Sequence, residues 1–420
     1  MAVRGLDSPV AMVLAIGGLY VGQSVISGVT FGALPSVMRD QGLSLDMIGL
    51  TYLAVLPWVL KFLWAPAVER YRLPRAGESR SRSIVLVGGL VCAAGLLLGG
   101  LVGAGNLAAI VAVILVVALA ASTVDIACDG QAVESLSVKH HGWGNAAQVG
   151  GAYLGSAIGA GLFLVLVAHL GWTHAMTLMA ALLVLLGLPF VLSPAPPAPA
   201  HRPHRPSLRS ALARPELRRG LALSALYAAT QKWGMTMLGP FLVDAGLDLA
   251  SLGIVNGAGG MAVGFACALL GGACVRRWGS RPVMILALAA QALALAALAA
   301  SDWTKGTPQE FLVALALVSS SGIMALGFVA LYAQFMALSD PRQAGIDFTL
   351  LQSMDALVSM MGGLGAGWIS QHYGYGACFG LSAALAFMAI PITARLSSRP
   401  KPLSSHEEQG AMSELAPIKS

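Results

Sequence analysis

Charged residues are scarce in this sequence. Asp, Glu, Lys and Arg make up 10% of its 420 residues, whereas soluble domains contain roughly 25%. A soluble domain with so few charges would lack the polar groups needed to cover its surface. Hydrophobic residues account for 57% of the chain. This composition excludes most soluble enzyme and binding classes and indicates a protein embedded in lipid.

Motifs for metal, nucleotide or covalent chemistry are also missing. The five cysteines lie apart in apolar segments, without the CxxC or Cys/His spacing of a metal site or a disulfide framework. No GxxxxGK[ST] loop is present for a nucleotide. The basic residues lie between apolar runs and form no stripe of the kind that binds nucleic acid. We therefore expect no cofactor, no metal ion, no nucleic-acid partner and no enzymatic activity.

Long apolar runs follow one another along the chain. A membrane-spanning helix needs about 20 mostly apolar residues, and the first run is too long for the core of a cleaved signal peptide. The pattern predicts an all-α integral membrane protein. Twelve spans are predicted, numbered in chain order: 10–38, 44–68, 83–103, 106–135, 143–168, 173–193, 219–243, 249–274, 282–301, 309–338, 344–370 and 375–396.

Basic residues are distributed unequally between the loops. Of the 25 Lys and Arg residues, all except Arg39, Lys61, Lys232 and Lys305 lie in the loops and termini on one side of the predicted spans. Cytoplasmic loops are the ones enriched in Lys and Arg. We therefore expect both termini to be cytoplasmic.

A loop rich in proline and arginine divides the spans into six plus six. Proline at the density found in this loop cannot continue a helix. The predicted organisation is an amino-terminal six-helix half at 1–193, a cytoplasmic linker at 194–218, a carboxyl-terminal six-helix half at 219–396 and a disordered cytoplasmic tail at 397–420.

The two halves show signs of an internal repeat. Span 5 aligns with span 11 at an offset of 204 residues, which places Gln148 on Gln352. The loops after spans 2 and 8, at 66–75 and 271–281, are both short and basic. We infer two pseudo-symmetric six-helix bundles. The alternative is a chance similarity between glycine-rich apolar helices.

Two carboxylates in span 4 are candidates for function, because a charge at the centre of a lipid-facing helix costs about 2.5–3.5 kcal/mol. Asp125 and Asp129 lie one helical turn apart, and Glu134 follows near the end of the span. Two carboxylates on one face, with little water, favour retention of a proton. A proton-coupling site needs a group that retains a proton in this way. The alternative is a structural role as a helix cap or as an ion-pair partner of Arg70.

Four further charges lie within other spans. Lys61 lies in span 2, Lys232 in span 7, and Asp347 and Asp355 in span 11. Each needs an opposite charge or a water-filled cavity. We expect Lys232 to face a central cavity and Lys61 to pair with Asp347 or Asp355 across the two halves. Alternatively, Lys61 reaches the membrane surface and Asp347 caps its helix.

Polar and aromatic residues inside the spans form a second group of candidates. They suit a cavity for a bulky, fairly flat and weakly charged molecule, although many such residues form hydrogen bonds between helices instead. The residues expected to bind a substrate are Gln23, Tyr153, Tyr227, Gln231, Lys232, Trp233, Tyr332, Gln334 and Gln352.

Two long motifs resemble those of a known transporter group. KFLWAPAVERYRLP at 61–74 and STVDIACDGQAVESL at 122–136 are similar to motifs of the muropeptide permease and acetyl-CoA transporter group of the major facilitator superfamily. The resemblance implies the major facilitator fold, with twelve transmembrane helices. It marks motif positions without assigning their roles. We expect proton coupling or gating from Lys61, Arg70, Asp125, Asp129, Glu134, Asp347 and Asp355.

The later part of the chain narrows the resemblance. The segments at 339–363 and 367–375 are similar to siderophore importers of the bacterial inner membrane, of the pyochelin and rhizobactin type. This implies import of a ferric siderophore from periplasm to cytoplasm without an ATPase subunit. From the residues we expect a monomer in membrane lipid, driven by an ion gradient or by trapping of the substrate inside, with protons as the expected coupling ion. The alternatives are an exporter and a muropeptide permease of the same fold. A sugar–peptide substrate would favour more carboxylates and amides in the cavity.

The resemblance also implies a mechanism of alternating access. Spans 1, 4, 7 and 10 would line a central cavity, and spans 2, 5, 8 and 11 would form the seam between the halves. The glycine pairs at 155–159 and 363–367 suit such a seam, because small residues spaced four apart let helices approach closely.

Overall fold

The computed structural model describes residues 9–40, 54–103, 105–193, 204–247 and 254–397. Within these ranges all regular secondary structure is helical. The first part of the predicted linker, 194–203, and the predicted tail from 398 onward lie outside the described residues.

Eighteen α-helices form the described part of the chain. They are α1 (Pro9–Ser27), α2 (Leu34–Asp40), α3 (Leu56–Leu60), α4 (Ala65–Arg72), α5 (Ser81–Val102), α6 (Leu107–Ser135), α7 (His141–Ser156), α8 (Phe163–Leu170), α9 (Trp172–Leu192), α10 (Leu208–Ala213), α11 (Pro215–Lys232), α12 (Leu238–Asp244), α13 (Gly260–Trp278), α14 (Ser280–Thr304), α15 (Gln309–Leu317), α16 (Met324–Leu338), α17 (Ala344–Tyr373) and α18 (Tyr375–Leu396).

Nine helices among the described residues are long and apolar enough to cross a membrane. They correspond to predicted spans 1, 3, 4, 5, 6, 8, 9, 10 and 12. The described parts of the other three predicted spans are helical as well. Lys61 lies between α3 and α4, Lys232 ends α11, and Asp355 lies within α17. The all-α membrane fold predicted from the sequence is confirmed.

The segment predicted as a linker contains more helix than expected. The Ser207 side chain caps α10 by accepting a hydrogen bond from the Ser210 main-chain N–H at 3.1 Å. Pro215 then begins α11, a position that suits proline because a first-turn N–H would have no helical partner. The seventh helical segment therefore starts at Pro215 and not at 219.

Helix contacts group the helices into an amino half, α1 to α9, and a carboxyl half, α11 to α18. In the amino half, α1 packs against α7 and α9; in the carboxyl half, α11 packs against α17 and α18. Across the halves, α7 packs against α13 and α16, while α17 packs against α4 and α6. The contact of α7 with α13 thus has its counterpart in that of α17 with α4. This is the pattern expected of a pseudo-two-fold repeat.

The glycines of span 5 bring helices together within the amino half. A Cβ on Gly155 or Gly159 would collide with main-chain atoms of α1. The expectation that this pair lies at the seam is therefore wrong, because α1 belongs to the same half. Gly142 makes the close contact across the seam, since its Cβ would lie 2.7 Å from the carbonyl oxygen of Gly272 in α13. The structure does not describe the surroundings of Gly363.

Candidate functional site

A cavity of about 390 Å³ lies where the two halves meet, within the range of roughly 300–1,000 Å³ typical of small-molecule sites. Trp58, Met324 and Phe328 form much of its apolar wall. Spans 1, 4, 7 and 10 contribute side chains to the wall as expected, and the seam spans 2, 5 and 11 contribute side chains as well. The larger polar and charged residues of the wall are Tyr20, Gln23, Lys61, Asp125, Gln148, Tyr153, Lys232, Tyr332, Gln352 and Asp355.

Lys61 lies in the interior at a break in the second span. A single 3₁₀ turn, Lys61–Leu63, separates α3 from α4, and Pro66 follows in the first turn of α4. Proline cannot donate the main-chain hydrogen bond that a continuous helix would need at this point. The Lys61 side chain is 3% exposed. It is therefore buried and does not extend to the membrane surface.

The ammonium of Lys61 is shared between the two halves. It forms an ion pair with Asp125 and lies 4.0 Å from an oxygen of Asp129, both on α6. It also donates a hydrogen bond of 2.5 Å to Oε1 of Gln352 on α17. The cross-half partner of Lys61 is thus an amide. The expected ion pair with Asp347 or Asp355 is wrong.

Asp129 lies deeper than Asp125 and is fully buried. Its Oδ1 accepts hydrogen bonds from Tyr20 Oη at 2.7 Å and from Gln148 Nε2 at 3.4 Å. One ammonium, that of Lys61, therefore faces two carboxylates. Because like charges disfavour joint ionisation when little water is present, this arrangement can retain one proton.

A second ion pair faces the cavity from the carboxyl half. Lys232 Nζ lies 2.8 and 2.9 Å from the two oxygens of Asp355. Tyr332 donates a hydrogen bond of 3.2 Å to the same carboxylate. The ammonium also lies 4.5 Å from the centroid of the Phe328 ring, a favourable cation–π distance. The Lys232 side chain is 25% exposed, so a molecule in the cavity can reach it.

Charged residues also join the halves beyond the cavity, at the end that carries the basic loops. Arg72 is fully buried and donates two hydrogen bonds to Glu69, at 2.7 and 2.8 Å, and two to Glu134, at 3.0 and 2.9 Å. Oε1 of Glu69 in turn accepts the main-chain N–H of Gly345 at 3.0 Å. These four residues, here called the loop-end cluster, bind α4 and α6 to the start of α17.

Arg72 was missed by the sequence reasoning, which pointed to Arg70. Arg70 donates to the main-chain oxygen of Pro206 at 2.9 Å, on the segment before α10. The spacing of Glu69 and Arg72, one helical turn, was the available signal.

Asp347 lies at the start of α17 and has local partners. It forms an ion pair with Arg214 and accepts hydrogen bonds from the main-chain N–H of Asp340 at 2.8 Å and from Gln343 at 2.9 Å. These contacts hold the turn before α17 and the start of α11 together. They match a structural role at the helix start better than a role in the cavity.

Four residues expected to bind a substrate do not line the cavity. Tyr227 is fully buried, with its ring edge-on to Phe328 at 6.1 Å. Gln231, on the same helix as Tyr227, is also fully buried within the carboxyl half. Trp233 donates to a main-chain oxygen of α17 at 3.5 Å, and Gln334 accepts from a serine at the start of α14 at 2.6 Å. The other five, Gln23, Tyr153, Lys232, Tyr332 and Gln352, lie in the cavity wall.

The cavity has no evident metal-binding arrangement. Among the described residues, no group of three or more His, Cys, Asp or Glu side chains is placed to hold a metal ion. Its carboxylates are engaged with lysines and tyrosine. The site is suited to binding polar groups of a small molecule and to holding a proton.

Comparison with known proteins gives consistent matches. The family model described as Major Facilitator Superfamily matches residues 16–345 and 263–420. The anhydromuropeptide permease of Escherichia coli (strain K12) is 27% identical over 398 residues, which cover 91% of this chain and 79% of that protein.

Solved structures share the architecture at low sequence identity. The crystal structure of the human organic anion transporter MFSD10 (TETRAN) superposes with a TM-score of 0.72 and 17% identity, over 92% of this chain and 99% of that one. The Escherichia coli fucose:proton symporter FucP superposes with a TM-score of 0.71 and 17% identity, over 94% and 100% of the two chains.

Proposed function

Because the chain belongs to the major facilitator superfamily, we propose that it imports a sugar–peptide of the muropeptide class across a bacterial inner membrane. Membership makes it a multi-pass secondary transporter of a small molecule and not an enzyme, in agreement with the motifs. The similarity to the anhydromuropeptide permease supports the muropeptide alternative. It gives no support to the ferric siderophore that the motifs at 339–375 implied.

The observation that carries this proposal is the chemistry of the cavity wall. Two lysine–carboxylate pairs, at Lys61 and Lys232, face the same space as three glutamines. A sugar–peptide presents hydroxyls, amides and carboxylates, which these groups can bind. The wall is thus richer in carboxylates and amides than the flat, weakly charged substrate expected from the sequence would require.

We assign the two ion pairs different tasks. The buried group of Lys61, Asp125 and Asp129 holds the coupling proton, because one ammonium faces two carboxylates. Lys232 binds a substrate carboxylate, since its side chain is the more exposed of the two lysines. Phe328 and Tyr332 supply the adjoining wall. The halves then alternate access to the cavity from either side of the membrane.

Uptake by the purified protein in liposomes tests the proposal. The substrates are a labelled disaccharide–peptide muropeptide, the same disaccharide without peptide, and an iron-labelled pyochelin-type siderophore, each with and without an inward proton gradient. We expect saturable muropeptide uptake that the gradient stimulates. Uptake of the siderophore alone would replace the proposed substrate with the one the motifs implied. Transport of neither would reject both.

A further inference from the structure

Two polar contacts join the second span to α17 along one line. Lys61 donates to Gln352 at 2.5 Å, and Glu69 accepts the N–H of Gly345 at 3.0 Å. Eight residues separate Lys61 from Glu69, and seven separate Gly345 from Gln352, about two helical turns in each case. The two contacts therefore lie along the same seam. The Lys61–Gln352 bond, at the cavity, is called the upper bond, and the Glu69–Gly345 bond, toward the loop end, is called the lower bond.

The two bonds differ in what controls them. In the lower bond, the donor is the main-chain N–H of Gly345, which does not titrate and for which no other carboxylate competes among the described residues. The acceptor, Glu69, also takes two hydrogen bonds from Arg72, and Arg72 is shared with the partly exposed Glu134. In the upper bond, the donor is a lysine that Asp125 and Asp129 also attract. Its hold on Gln352 therefore depends on the charge of this acid pair.

The net charge of Lys61, Asp125 and Asp129 determines how the Lys61–Gln352 bond responds to protonation. When the acid pair holds one proton, the group of Lys61, Asp125 and Asp129 is neutral, and Lys61 can serve one carboxylate and Gln352 together. When the proton leaves to water, the group carries one net negative charge. Both carboxylates then compete for the ammonium, and an uncompensated buried charge favours a conformation that admits water.

We propose that the Lys61–Gln352 hydrogen bond is a proton-linked contact between the halves: it is made while the acid pair holds a proton and is released when that proton leaves. Release leaves α17 held to α4 by the Glu69–Gly345 bond and so favours opening of the seam on the loop side of the cavity. This inference rests on the proposed proton-coupled transport and adds the residue, Gln352, through which the proton acts on the opposite half. Gln352 is thus a positioning residue and need not touch the substrate.

Several other ionisable groups lie near Lys61 and could also respond to pH. On α6 they are Asp125, Cys128 and Asp129, on α1 Tyr20, and across the cavity Lys232, Tyr332 and Asp355. Asp355 is already bound to Lys232 and Tyr332, so it is not free to take up Lys61. Variants of Gln352 leave every one of these titrating groups in place.

Distances between spin labels at the loop end measure the opening without any substrate. Labels are placed at Arg75→Cys and Arg277→Cys, both exposed positions in different halves, in a chain whose five native cysteines are replaced. We expect the population with long distances to grow as pH rises. Because the measurement needs no transported molecule, it is independent of whether the muropeptide proposal holds.

Two substitutions at Gln352 decide the proposal. Gln352→Leu removes the acceptor and is expected to lower the closed-to-open ratio at acid pH about tenfold, the effect of losing one hydrogen bond to a charged group. Gln352→Glu adds a third carboxylate beside the single ammonium of Lys61, so the group stays negatively charged when the acid pair holds one proton, and the opening is expected to shift to lower pH. Gln371→Leu, an exposed glutamine on the same helix, is the control and should behave like the unsubstituted protein.

The result that overturns the proposal is a pH dependence of the distances that is the same in Gln352→Leu and the unsubstituted protein. A change in uptake without a change in that pH dependence would show that Gln352 serves the substrate only. Size-exclusion profiles and thermal melting establish that each variant is folded before distances are compared.

Discussion

At the scale of single residues, the cavity contains two ion pairs with different exposure. The Lys61 side chain is 3% exposed and that of Lys232 is 25% exposed. Removing one partner of a buried pair costs about 3–5 kcal/mol because it leaves an uncompensated charge. In the second pair Lys232 keeps part of its hydration while Asp355 is 6% exposed, so losing Lys232 costs less than losing Lys61 but more than the roughly 0–1 kcal/mol of a surface pair. The Lys61 pair therefore contributes to the stability of the folded protein, and the Lys232 pair is available for exchange with a ligand.

The two lysines should respond differently to the same substitution. We expect Lys61→Met to lower the thermal midpoint of the protein in detergent clearly more than Lys232→Met. Adding Asp125→Asn to Lys61→Met should restore part of the loss, because it removes the carboxylate left without a partner. Equal losses for the two lysines would contradict the difference in burial.

Lys232→Met is expected to act on uptake. Losing a charged hydrogen-bond donor to the substrate corresponds to about a tenfold fall in affinity. The measurement is the concentration dependence of uptake in liposomes, with Lys232→Arg as the variant that keeps the charge. Unchanged uptake by Lys232→Met would remove this residue from the mechanism.

Tyr20 and Tyr227 form a matched pair for testing the acid pair. Tyr20 donates to Asp129 at 2.7 Å, whereas Tyr227 donates to a main-chain oxygen at 3.4 Å. We expect Tyr20→Phe to lower the free energy of unfolding by about 1.5–3 kcal/mol, the contribution of a hydrogen bond to a charged group. Tyr227→Phe should cost less. Equal losses of unfolding free energy for the two variants in denaturant titrations would contradict the stronger hydrogen bond assigned to Tyr20.

Part of this site could be predicted from the sequence, and the reason is physical. Lys61, Asp125, Lys232 and Asp355 are all expected in the interior because lipid excludes charge, and all four line the cavity. Their pairing could not be predicted, because it depends on how each helix is rotated and where the second span breaks. Tyr227 and Gln334 were wrongly predicted to line the cavity, because uncharged polar residues can pack between helices without a charged partner.

At the scale of helices, the glycines of span 5 determine how closely that span approaches α1. Side chains at Gly155 and Gly159 would collide with main-chain atoms, which cannot move aside as a flexible side chain can. In lipid, where no hydrophobic force drives helices together, such close packing is a main source of association. The sequence predicted the spacing of these glycines but not their partner, since spacing alone does not say which neighbour they face.

Alanine substitutions test this packing. We expect Gly155→Ala and Gly159→Ala to lower the thermal midpoint, because the added Cβ forces α1 and span 5 apart. Gly161→Ala is the control, since a Cβ there would meet nothing within 4 Å and alanine favours helix by about 1 kcal/mol over glycine. A loss of stability in the control as large as in the other two would contradict the packing argument.

At the scale of the whole molecule, the orientation in the membrane remains a prediction from loop charge. The loop end carries Arg72, Arg75 and Arg214, whereas Lys305 lies at the opposite end, after α14. Cytoplasmic loops are the basic ones. We therefore propose that the end bearing the loop-end cluster faces the cytoplasm.

Labelling of single cysteines in intact cells tests that orientation. Lys305→Cys should react with a membrane-impermeant maleimide added outside spheroplasts. Arg75→Cys, also exposed, should react only after the membrane is permeabilised. The opposite pattern would invert the topology and with it the inferred direction in which the cavity opens.

The arrangement of the seam has a kinetic consequence. Bonds placed side by side across a sliding interface must rupture together, and the barrier is then their sum. The Lys61–Gln352 and Glu69–Gly345 bonds lie one behind the other along α17, so a tilting movement can break them in succession. These two bonds then add less to the barrier than a pair that must break together. The halves can thus separate on the millisecond timescale of domain motions although several hydrogen bonds hold them at rest.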